Sequence, residues 1–133
     1  MKRVSALVTA ALLCAAPVLA HHSGAMYDSA HPIDVKGQVK TFRWTNPHVY
    51  IEVYGTSKTK PEPQVWTIEL SSTANVARSG WKRNSLAPGD KVTVSIAPLH
   101  SGGPGGGFRS LTFDETGKVL ERGAFRSQTA PKY

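Results

Sequence analysis

The chain has one cysteine, Cys14, in 133 residues. It therefore holds no internal disulfide and no thiolate cluster of the kind that binds structural zinc. Acidic residues are sparse too. Nine Asp and Glu stand against sixteen Lys and Arg, a formal charge of +7. Asp28, Asp34, Glu52 and Glu69 are scattered, so no paired-carboxylate hydrolase can be assembled from them. Ser71-Ser72 has no histidine at a nucleophile–base spacing. The run Gly102-Gly103-Pro104-Gly105-Gly106-Gly107 lacks the Lys-Ser/Thr ending of a phosphate loop and opens no helical pattern. It reads as a flexible loop. These absences point to binding rather than catalysis, and no catalytic residue is assigned.

Long apolar runs are also missing, with one exception at the start. Met1-Lys2-Arg3 is a short basic stretch, and Val4 to Ala16 is apolar apart from Ser5 and Thr9. That run is shorter than the roughly 20 residues needed to span a bilayer. It fits a cleaved export signal, with Val18-Leu19-Ala20 as the small-residue exit and the cut after Ala20. Removal of residues 1–20 takes away Cys14, Lys2 and Arg3, leaving 113 residues, a formal charge of +5 and no transmembrane segment. A chain of that size is one small domain. The expected location is the periplasm. A basic surface suits an envelope protein or an anionic surface as partner, and export argues against nucleic acid.

The remaining chain divides by pattern. Residues 21–32 have no period and form an N-terminal arm. Residues 33–121 alternate as β-strands, and residues 122–133 are a polar tail. Val35, Gly37 and Val39 share a face in strand one, where Gly37 suggests a bulge or a tight barrel bend. Thr45-Asn46-Pro47 is a turn, and Val49, Ile51 and Val53 line the second strand. Gln64 to Leu70 is the third strand, with Trp66, Ile68 and Leu70 on one face. A short helix follows, capped by Ser71 or Ser72 and ended by Gly80. Val92, Val94 and Ile96 face inward from a fourth strand, Phe108 to Phe113 is a fifth, and Val119 to Glu121 adds a short return. Three strands, a helix and two strands give an all-β fold: a small five-stranded Greek-key barrel, OB-fold-like, with one short helix between strands 3 and 4. A closed barrel leaves no long strand edge exposed.

Several groups of residues also form a pattern together. They are His21-His22-Ser23, Gly37-x-Val39, Trp44-Thr45-Asn46-Pro47-His48, Trp66-x-Ile68-Glu69 and Gly80-Trp81-x-Arg83-x-Ser85-Leu86-x-Pro88-Gly89-Asp90. With the glycine-rich loop after strand four, this pattern resembles a family of small exported proteobacterial proteins of unknown function. The resemblance spans nearly the whole mature chain. It implies export and a small β domain, and it carries no established activity. The family has a histidine opening the segment after strand four, where this chain has Ala97-Pro98-Leu99-His100.

Five histidines survive signal removal: His21, His22, His31, His48 and His100. A cut after Ala20 would leave His21 with a free α-amine. That amine and the ring Nδ1 can chelate one metal ion, and a further imidazole would complete a histidine brace. Copper suits such a nitrogen set, and zinc suits it less well. His48 and His100 compete for the third place: the motif favours His48, and barrel topology favours His100, which ends strand four and should lie near the arm. His22 is a further possible ligand, although neighbours in an extended chain point to opposite sides. Met26 could add a soft axial ligand. His31, before Pro32, reads as a surface residue. Two functions follow. The first is an exported periplasmic metal-binding protein, copper its metal, using the mature N-terminal histidine. The second is a non-catalytic OB-type module of the cell envelope that binds a ligand or a protein. An oxidative copper enzyme would need a broad binding face, and little chain is left to build one.

Overall fold

The computed structural model describes residues 24–122. A 3-10 turn at Gly24–Met26 precedes strands β1 (Ile33–Arg43), β2 (Tyr50–Ser57) and β3 (Gln64–Glu69). Helix α1 (Thr73–Arg78) comes next, then β4 (Lys91–Pro98), β5 (Gly105–Phe113) and β6 (Val119–Glu121). The strands lie in the order β3-β2-β1-β4-β5-β6. A parallel pairing of β3 with β5 closes the first five into a barrel. This is the anticipated OB-like barrel, with α1 between β3 and β4. Ser72 caps α1, accepting from the Asn75 backbone N–H. Among the described residues, no helix is long and apolar enough to cross a membrane.

Alternation builds the interior. Val35, Val39, Val49, Ile51, Val53, Ile68, Val92, Val94 and Ile96 are all buried. Trp66 and Leu111 fill the same core, which Trp81 and Phe108 extend towards α1. Trp66 also donates from its indole to the Gly55 carbonyl at 3.1 Å, so its one polar atom is satisfied inside the barrel. Trp81 donates to the Glu121 carbonyl and stacks edge-to-face on Phe108, tying the segment after α1 to β5 and β6.

Three expectations need correction. First, the bulge in β1 falls at Lys40, where the register with β2 slips between Val39 and Thr41. Gly37 instead marks a close crossing: a Cβ there would sit 2.2 Å from the Tyr54 carbonyl oxygen and against Gly55. Second, Gly105–Gly107 is the start of β5 rather than loop. It is wedged between β4 and β3, and a Cβ on Gly106 would lie 2.2 Å from the Ala97 carbonyl oxygen. Glycine is a poor strand former in isolation, and here crowding from both neighbours selects it. Third, β4 ends at Pro98, and His100 stands in the turn beyond it.

A second bulge lies in β5. Ser95 pairs with Ser110 and Ile96 with Phe108, so Arg109 is the extra residue. The irregularity lets both Phe108 and Leu111 face the core although they are three residues apart.

Candidate functional site

The motifs around Pro47 and Trp66 meet at one end of the barrel. His48 lies between β1 and β2, in a loop fixed from several directions. Asn46 Oδ1 accepts from the backbone and the hydroxyl of Thr73 at the head of α1. The Val49 N–H donates to Ser71, and the Leu70 N–H donates back to Val49. Glu69 closes β3, paired with Tyr50 on one side and Gly107 on the other. Alternation buries Trp66 and Ile68 and turns Glu69 outward, towards the loop that carries His48.

The result is a short polar chain. His48 Nδ1 lies 2.6 Å from Glu69 Oε1, and the Tyr27 hydroxyl donates to Glu69 Oε2 at 2.9 Å. Both carboxylate oxygens are thus engaged by side chains. A neutral His48 bonded in this way carries its proton on Nδ1 and its lone pair on Nε2. Carboxylates orient metal-ligating histidines by the same contact. Burial first, and then the Glu69 carboxylate, push the Tyr27 hydroxyl above its ordinary range. Tyr50 moves in the same direction through burial and Glu69, with Arg43 over its ring opposing. Both phenols are therefore neutral donors at physiological pH.

Tyr27 is held by the arm that carries it. It bridges to Leu99, the Asp28 N–H donates to the Pro98 carbonyl at 2.8 Å, and the His100 N–H donates to the Met26 carbonyl at 3.0 Å. Its ring lies over Gly107, where a Cβ would come within 3.2 Å of it. The glycine therefore lets the arm settle onto β5 beside Glu69.

A cleft of about 740 Å3 opens at this place. Gly24, Met26 and Tyr27 of the arm border it together with His48 and Glu69. Arg78, Arg109 and Arg122 line it as well. Of the residues singled out from sequence, His48 and Met26 come together here. His100 touches the arm through its backbone, but its exposed ring is not part of the cleft wall. His31 is exposed and bonded to Asp28. His21 and His22 lie outside the described residues. Among the described residues, no group of three His, Cys, Asp or Glu is placed to hold a metal ion.

Glu69 and Tyr27 were not identified as site residues from the sequence. A signal for Glu69 was available: strand alternation puts it outward, two residues from the position opposite His48. Tyr27 sits in a stretch with no period, and nothing local marks it. The Arg109–Arg122 pair could have been read from the symmetry of the hairpin around Asp114–Lys118.

A family model described as a family of unknown function (DUF6152) matches residues 9–108. Comparison with curated proteins and with solved structures finds no match.

Proposed function

The chain belongs to DUF6152, a family without an assigned activity, and from its own residues we propose that it is an exported periplasmic protein that binds copper through His21 and His48. Export removes residues 1–20 and frees the α-amine of His21. The amine and ring of His21 supply two nitrogens, and the His48 ring supplies the third. Copper(II) is the metal best matched to three such nitrogens.

One observation supports this reading above the others: His48, oriented by Glu69 at 2.6 Å, shares its cleft with Gly24 at the end of the arm. Two residues, and so three Cα–Cα steps, separate Gly24 from His21, a covalent reach of about 10 Å. His100 is the weaker third ligand because it is exposed and does not line that cleft.

The experiment compares copper affinity in the chain starting at His21 with that in a chain carrying one extra serine before it. The extension turns the amine into an amide and should weaken binding more than about tenfold, or ~1.4 kcal/mol. His48→Ala should do the same, and His100→Ala should not. Equal affinity in the extended and mature chains would overturn the proposal.

A further inference from the structure

The arginines that line the cleft are not used by the metal reading, and they carry an anomaly of their own. Antiparallel pairing of Ser110 with Glu121 sets Arg109 directly opposite Arg122, and the Arg122 N–H donates to the Arg109 carbonyl at 3.0 Å. Like charges facing each other across a strand pair repel and destabilise the sheet. Arg78 approaches the same space from the end of α1. None of these three guanidiniums makes an ion pair among the described residues. Arg78 bonds to Ala74 and Asn75, and Arg109 reaches the Ser29 carbonyl. The carboxylates nearby do not neutralise them. Glu69 is engaged with His48 and Tyr27, and Glu121 borders the cleft without bonding to any of the three.

The backbone at Arg109 is also irregular. Arg109 is the extra residue of the β5 bulge, and bulges re-aim side chains beside binding sites. The bulge allows the core to be filled on either side while Arg109 stands at the cleft. A cavity of about 740 Å3 lies within the ordinary size range of small-molecule sites. Planar guanidiniums bind carboxylate and phosphate oxygens in pairs, and they do so better than ammonium groups.

We infer that Arg78, Arg109 and Arg122 form a binding site for a small polyanion, a free organic polycarboxylate or phosphate, in the cleft beside His48. The anion relieves the repulsion between Arg109 and Arg122 and is clamped from the third side by Arg78. The inference does not depend on copper, and its test is made without metal.

The test is calorimetric titration of the chain starting at His21 with citrate and, separately, with inorganic phosphate, in the presence of EDTA-treated, metal-free buffer. Vesicles containing phosphatidylglycerol form a third arm. Saturable one-to-one binding of citrate or phosphate is expected, the tighter of the two identifying the chemical source. Arg109→Ala combined with Arg122→Ala should weaken it more than tenfold with the melting temperature no lower than that of the native chain. Arg78→Ala should weaken it as well. Lys36→Ala with Lys58→Ala removes two charges away from the cleft and should leave affinity within twofold. Replacing Arg109 and Arg122 by Lys keeps the charge but loses the paired geometry, and affinity should fall between the native and the alanine forms. Absence of saturable binding by both free anions overturns the proposal. So does an equal loss in the lysine-to-alanine control, or association with vesicles alone.

Discussion

Tyr27→Phe deletes one hydroxyl and tests how the arm is held. The deleted group donates to Glu69 Oε2 at 2.9 Å. A hydrogen bond to a charged acceptor contributes about 1.5–3 kcal/mol net when shielded from water. Glu69 is about a quarter exposed, at 27 %, so the lower part of that range applies and a loss of about 1–2 kcal/mol is expected. The ring remains packed over Gly107, and the barrel core is untouched. The loss should therefore fall on local release of the arm rather than on global unfolding. Two amides report that release directly: Asp28 N–H, bonded to Pro98, and His100 N–H, bonded to Met26. Their hydrogen exchange, followed residue by residue by NMR, should accelerate roughly 5- to 30-fold, the same free energy expressed as a ratio. The Val94 amide, inside β4, should be unaffected by release of the arm. Glu69→Gln retains an acceptor and should give a smaller change. If Asp28 and His100 exchange within twofold of the native rates in Tyr27→Phe, the Tyr27–Glu69 bond does not hold the arm and this reasoning fails.

Two further outcomes concern the core and the arm. Val94→Asp places an unpaired charge among fully buried aliphatic side chains; at about 3–5 kcal/mol it removes much of the ~5–15 kcal/mol stability of a small domain, and circular dichroism melting should show an unfolded or strongly destabilised chain. A native-like melt would refute the core assignment. The Asp28 carboxyl is held below its ordinary value chiefly by its hydrogen bond with His31, aided by the backbone N–H groups of His31 and Ala30. Because that value is lowered in the folded chain, the contribution is present above the ordinary carboxyl range and lost as pH falls through the lowered value. His31→Ala should move the Asp28 titration back up towards 3.8, read by carboxyl-carbon NMR; an unmoved titration would remove His31 as the cause.

Much of the barrel was legible because alternation is local. Val92, Val94 and Ile96 declare their face within five residues, and Ser72 and Gly80 bracket a helix by their own conformational preferences. What was not legible came from long-range register. Gly105–Gly107 looks like loop until β3 and β4 press on it from both sides. Glu69 looks like an ordinary outward strand residue until the loop after β1 brings His48 alongside. Arg78 lies 31 residues before Arg109, and only the folded chain brings it to the Arg109–Arg122 pair. The bulge at Arg109 has no composition signal; it is set by the need to bury both Phe108 and Leu111.

The barrel is zipped shut by its shortest ladder, the three residue pairs Thr67–Gly105, Ile68–Gly106 and Glu69–Gly107. Glu69 is one half of the last of these pairs, and Tyr27 rests on the other half. A ligand that engages both β3 and β5 at this end acts as a clasp across the zipper. Its binding free energy is transferred to closure of the barrel, which then rises with ligand concentration in the usual mass-action manner. Conversely, each transient parting of the zipper pulls Glu69 away from Tyr27 and dismantles the wall of the cleft. Parting of this ladder and opening of the cleft are therefore one motion, so the lifetime of the closed barrel is also the lifetime of the cleft wall.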